Sequence, residues 1–294
     1  MSRKRTEMNV RQFSVSRRAI AVAAALVGMV SLVIGAHAAF NKRTLDTARA
    51  VATGQDTEAA KRASRIALVI GNGHYPDANA PLTQPINDAR ALTAALRGNG
   101  FDVDVLEDAS KDDMNRAVDR LKSKIKPDSV VMLFFGGYGV QVGGESYMIP
   151  VDAAIWREAD VRRQGFSVES VLDVMKEQGA RAKLVVIDAS RRNPYERRFR
   201  AFSHGLAPIA PPDNALILTS ATPDKVADDS ENANSVLMSE LLTNLAPQSA
   251  SGAEAVFNKT RVAITRASDG EQVPSVSSSL QEDVSLAATE NAGG

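Results

Sequence analysis

The chain has 294 residues, 44% of them apolar and 24% charged, which is enough apolar content for one full core plus an appendage. Basic and acidic residues number 35 each, so no overall charge argues for a nucleic-acid partner. Cysteine is absent and only His37, His74 and His204 represent histidine, which excludes disulfides, thiolate metal sites and a thiol nucleophile and argues against a His-built metal centre.

The amino end is basic, with Arg3, Lys4, Arg5, Arg11, Arg17 and Arg18 against a single Glu7. An uncharged run from Ala19 to Ala36 follows and closes on Ala36-His37-Ala38, the small-x-small form of a signal-peptidase site. Residues 1–38 are therefore expected to enter the membrane, as a cleaved export signal or as a retained anchor. Positive charge before the run places the rest of the chain outside the cytoplasm, in the periplasm or secreted. Ser16-Arg17-Arg18 also resembles a twin-arginine signal. Residues 39–64 are polar and Ala-rich and read as a linker, residues 65–286 as the folded domain, and the polar residues 287–294 as a disordered tail.

Within the domain, short apolar runs alternate with amphipathic stretches. Arg65 to Ile70 reads as a strand, and Gly71-Asn72-Gly73-His74-Tyr75 as its exit turn. Pro76 stands where a dinucleotide fingerprint needs its third glycine, so the nucleotide reading fails. Pro85 to Gly98 carries Ile86, Ala89, Leu92 and Leu96 on one helical face and ends at Asn99-Gly100. Phe101 to Leu106 alternates as a strand, and Ser110-x-x-Asp113 is a capping box for a helix through about Ile125. Ser129 to Phe135 is a third strand, followed by a glycine-rich loop from Gly136 to Pro150. Ser167 starts a helix bearing Val168, Val171, Leu172 and Met175, and Lys183 to Ile187 is a fourth strand whose exit loop is Asp188 to Pro194. Tyr195 to Pro212 is a long basic connection, Ala215 to Thr219 a fifth strand, Asn234 to Leu245 amphipathic, and Ser251-x-x-Glu254 a capping box for a last helix. Strands alternating with helices give a parallel sheet covered on both faces, and such sheets build their sites at the carboxyl ends of the strands.

The two strand-end loops carry a resemblance. Leu133-Phe134-Phe135-Gly136-Gly137-Tyr138-Gly139, then Gln141, Gly143, Tyr147 and Ile149-Pro150-Val151-Asp152-Ala153, resembles the caspase-like peptidase domain of bacteria, the group that includes metacaspases. Asp188-Ala189-Ser190-Arg191-Arg192-Asn193-Pro194 resembles that family's nucleophile loop. The resemblance covers about Arg65 to Leu280. It implies a caspase-like three-layer α/β sandwich with a mostly parallel central sheet and no cofactor. It also implies that the catalytic His and Cys positions are Tyr138 and Ser190, so both members of the dyad are substituted.

A Cys–His pair works because an imidazole of pKa near ~6.5 takes a proton from a thiol of pKa near ~8.5. Serine needs a strong positioned base, and a phenol of pKa near ~10 must first lose its own proton. The expectation is a pseudopeptidase that binds a peptide or protein partner, with an active relative as one candidate. By the resemblance, Asp88 and Asp188 would hold a basic side chain, as two converging carboxylates receive a guanidinium. The alternative for these acids is structural, with Asp88 capping the first helix turn and Asp188 accepting loop N–H groups. Two rivals remain at this stage. One is a rewired hydrolase using Ser190 with Lys183, Asp188 or His204. The other is a structural envelope protein.

Overall fold

The structure, a computed structural model, describes residues 64–76, 81–192, 194–198, 205–227, 232–245 and 251–286. The expected leader, nearly all of the linker and the tail lie outside the described residues, as does His204. In chain order the elements are β1 (Arg65–Gly71), α1 (Gln84–Gly98), β2 (Asp102–Glu107), α2 (Lys111–Lys124), β3 (Val130–Gly136), β4 (Gly139–Val142), β5 (Glu145–Met148), α3 (Glu158–Gln164), β6 (Phe166–Ser167), α4 (Val168–Glu177), β7 (Ala182–Asp188), β8 (Ala215–Thr219), α5 (Val236–Asn244), α6 (Ala253–Ala267) and β9 (Ser275–Ser278).

The main sheet has six strands in the order β2-β1-β3-β7-β8-β9, parallel except for the β8–β9 pair. β3 and β7 are buried along their whole length and show no alternation of polar and apolar residues, because both faces of the sheet are covered. Their alternate side chains feed two cores. Met132, Phe134, Leu184 and Val186 pack with Leu92, Leu96, Leu237, Leu241, Phe257 and Ile264 of α1, α5 and α6. Leu133, Phe135, Val185 and Ile187 pack with Met114, Leu121, Leu172 and Met175 of α2 and α4. A fully buried side chain of this size is worth about 1.5–3 kcal/mol, so the sheet is the stable platform of the molecule.

Capping follows the sequence at one helix and departs from it at another. Ser110 and Asp113 form the expected capping box on α2. The expected box at Ser251 and Glu254 does not form: Gly252 is the N-cap of α6, and the Ser251 hydroxyl accepts from Lys259 Nζ instead. The expected glycine-rich loop from Gly136 to Pro150 also differs, since it folds as the β4–β5 hairpin and, with β6, makes a second antiparallel sheet. The sharp turn at Gly143-Gly144, with φ of 63° and 84°, is what closes that hairpin.

Candidate functional site

The site lies where β3 and β7 end side by side, with Gly136 in register with Asp188. Beyond the last pair the two loops remain stitched: Gly137 N donates to Asp188 O at 3.2 Å and Gly139 N to Ala189 O at 3.0 Å. Gly137 has φ of 157°, and a Cβ there would come within 2.5 Å of the Tyr75 hydroxyl, so only glycine fits. That hydroxyl is itself a strut, donating to Ile149 O at 2.9 Å and accepting from Tyr138 N at 3.1 Å. Burial pushes the Tyr75 phenol well above its ordinary range, so it stays protonated and serves as a fixed donor.

Tyr138 is half-buried, its ring 4.8 Å from that of Tyr75 in an edge-on contact. Ser190 is 1% exposed, and its hydroxyl has no hydrogen-bond partner among the described residues. Its backbone is fixed at both ends: Ser190 N donates to Ser220 Oγ at 3.4 Å, and Ser190 O accepts from Ala227 N at 2.6 Å. No described base lies within hydrogen-bond reach of the Ser190 hydroxyl.

Sequence reasoning passed over Arg191, which is 5% exposed. Its guanidinium turns inward, donates to Gly137 O at 3.0 Å and to Asp188 O, and lies 3.7 Å from Asp188 Oδ1. It therefore ties the two site loops together and neutralises the carboxylate beside it. The signal available was an arginine immediately after a strand-end serine, but a charged residue in a loop reads as solvated until its burial is seen.

Asp88 and Asp188 are close enough for their charges to interact. Their surroundings differ from both expectations. Asp88 does not cap its own helix, whose N-cap is Thr83; it accepts from Asn234 Nδ2 at 2.8 Å and from Ser235 N at 3.1 Å. Burial first, and the nearby Asp188 second, push its carboxyl up to about 6, against the opposing pull of those donors. Asp188 accepts no loop N–H group either: Oδ1 faces Arg191 and Oδ2 is buried with no partner. Gln84, Asp188, Arg191, Ala227, Ser235 and Gln272 enclose a pocket of about 10 Å³, room for a single water. A lysine or arginine side chain does not fit while residues 232–235 keep this position.

His74 is a turn residue, as expected, exposed and 2.5 Å from Asp108 Oδ2. Lys183 is 4% exposed at the opposite end of β7, where it donates to Ala180 O and Asp213 O at 3.0 and 2.9 Å; it is structural and removed from Ser190. Among the described residues no cluster of His, Asp and Glu could hold a metal ion, and no helix is long and apolar enough to cross a membrane.

A family model described as the caspase domain matches residues 64–285. Over 143 residues, 48% of this chain, the sequence is 29% identical to human mucosa-associated lymphoid tissue lymphoma translocation protein 1, of which the match covers 17%. The mouse homolog is 30% identical over 133 residues, 45% of this chain and 16% of that protein. The aligned stretch thus spans about a sixth of the length of the curated relatives it matches.

Proposed function

This chain belongs to the caspase domain family, and we propose that within the family it is a pseudopeptidase, a domain that binds a peptide segment of a protein partner and does not cleave it. The observation that carries this reading is the state of Ser190: at the strand-end position where the family resemblance puts the nucleophile, its hydroxyl is buried and touches no base among the described residues. Tyr138 stands at the position of the proton acceptor and offers a phenol. Loss of a nucleophile–base pair of this kind leaves only residual catalysis, a drop of order ~10⁶.

The acceptor left for a ligand is Asp188 Oδ2. A basic side chain of the partner reaches it once Asn234 and Ser235 release Asp88, and the two carboxylates then receive it together. The partner belongs outside the cytoplasm, because the basic and apolar pattern of residues 1–38 is that of an export signal or anchor. An active peptidase of the same family that presents a lysine or arginine on an exposed loop would be a fitting partner.

The test is hydrolysis of Arg- and Lys-ended fluorogenic peptides by the wild-type chain, by Tyr138→His with Ser190→Cys, and by Ser190→Ala. Silence in the wild type with turnover in the double variant supports a binding groove that lacks only its dyad. Turnover in the wild type that disappears in Ser190→Ala overturns the reading and establishes a serine-based hydrolase.

A further inference from the structure

Two kinds of contact hold the chain where it crosses the Asp88–Asp188 pair. From Val236 onward α5 is anchored by apolar burial, with Leu237, Met238 and Leu241 inside the core that it shares with α1 and α6. Residues 232–235, just before it, bring no side chain into either core: Asn232 and Ala233 are exposed and Asn234 is half-buried. A row of hydrogen bonds to α1 holds them instead. Gln84 Nε2 donates to Asn232 O at 3.1 Å and Asn87 Nδ2 to Ala233 O at 2.9 Å, while Asp88 Oδ1 accepts from Asn234 Nδ2 at 2.8 Å and from Ser235 N at 3.1 Å. Hydrogen bonds at a surface are exchanged for bonds to water, whereas a buried apolar side chain has no such replacement, so this segment opens at a lower cost than the helix behind it.

Ser235 is the joint between the two. Its hydroxyl accepts from Met238 N at 3.0 Å and caps α5, so the helix keeps its start when the residues before it move. Below the segment, Asp188 is 4% exposed and its Oδ2 has no partner among the described residues, in the small pocket that Ser235 and Ala227 help to enclose. Asn234 sets an amide N–H on Asp88, which is the donor a lysine or arginine would offer without the charge. The chain is thus seated as a neutral stand-in on one carboxylate and leaves the other unserved. A cationic donor bonds a carboxylate more strongly than an amide does, and it would serve both.

We propose that residues 232–235 are a self-inhibitory strap, an intramolecular competitor that a partner's basic side chain displaces from Asp88, with Gln84, Asn87 and Asn234 as its latch and Ser235 as its hinge. The proposal rests on the reading of Asp88 and Asp188 as the receptor for that side chain. It adds what sets the affinity: only chains with the strap lifted bind, so the apparent affinity is the intrinsic one reduced by the lifted fraction. The strap also keeps two buried carboxylates covered and the site closed until a ligand of the right charge arrives.

The full chain in neutral detergent micelles is titrated with a fluorescein-labelled peptide carrying one arginine, and with the same peptide carrying citrulline, read by anisotropy. Wild type is compared with Asn87→Ala plus Asn234→Ala, and with that pair plus Asp188→Asn. Loss of the two latch bonds is expected to tighten the arginine peptide about fivefold or more, to leave the citrulline peptide weak, and to speed hydrogen exchange at the Ser235 amide. Adding Asp188→Asn is expected to cancel the gain. Asn87→Ala alone strips an exposed donor and leaves both carboxylates and α5 intact, so it should give part of the gain even if the pair folds poorly. Equal binding of the arginine peptide by wild type and both latch variants, lost with Asp188→Asn, would overturn the strap and leave the receptor reading standing. A gain that survives Asp188→Asn, or unchanged exchange at Ser235, would overturn the strap too. Equal binding of the two peptides, or binding of neither by any variant, would overturn the receptor reading and the strap with it.

Discussion

The loops that leave β1 and β7 open on the same end of one parallel sheet, on either side of β3, and they treat buried polarity in opposite ways. In the β1 loop, Asn72 is fully buried and saturated: its Oδ1 accepts from Ala109 N at 2.8 Å, and its Nδ2 donates to Ile149 O and Ala109 O at 3.2 and 3.4 Å. Asp108 opposite accepts from Gly73 N and His74 N at 2.9 Å each. In the β7 loop, Asp188 Oδ2 and Ser190 Oγ are equally buried and have no partner among the described residues. An unsatisfied buried group costs about 1–3 kcal/mol, so the first loop secures through protein contacts what the second leaves to a water or a ligand. The difference teaches that buried polarity braces the sheet end on the β1 side and stands without a protein partner among the described residues on the β7 side, where the proposed binding site lies.

The comparison can be broken most severely at Asn72. Asn72→Leu strands Ala109 N and forces a bulkier side chain into a closed site, while Ile149 O and Ala109 O keep the Tyr75 hydroxyl and Val151 N as donors, and is expected to cost about 3 kcal/mol in denaturant unfolding. A loss below ~1 kcal/mol would show that the β1 loop is no better satisfied than its neighbour.

The β7 side is sharpened by pH. The Asp88 carboxyl is raised to about 6 from 3.8, so the folded state holds its proton more tightly than the unfolded chain. That contribution to stability is full below about pH 4 and is lost as pH rises through about 6, a change of about 3 kcal/mol. Wild type minus Asp88→Asn, followed by chemical unfolding across this range, should fall with rising pH. A flat or rising difference would mean that the two carboxylates do not share a buried site.

The smallest effect is expected at Ser190. Removing a hydroxyl that has no partner leaves nothing behind unsatisfied, so Ser190→Ala should stay within about 1 kcal/mol of wild type and lean toward a gain in thermal stability. A loss above ~2 kcal/mol would give the Ser190 hydroxyl a partner and erase the contrast between the loops.

Much of the fold was legible because its causes are local. Strands β1, β3, β7 and β8 are short β-branched runs, α1 carries its apolar residues at helical spacing, and the Ser110–Asp113 box announces α2. The hairpin of β4 and β5 was not legible, since four-residue strands between glycines look like a loop. Nor was the failure of the Ser251 box, where Gly252 pairs with Ser285 in an antiparallel bridge and takes the cap position.

For the site, the sequence by itself determined which residue types stand at the two strand ends, Tyr138 and Ser190, and that an acid precedes the serine by two positions. Those are matters of local order along the chain. Only the tertiary structure decided who touches whom. Asn234 reaches Asp88 across 146 residues, Arg191 folds inward to brace two loops, and Arg198 crosses to Trp156. Contacts of this kind leave no periodic trace, because a side chain's partner across a long loop is fixed by the packing of the sheet and helices between them.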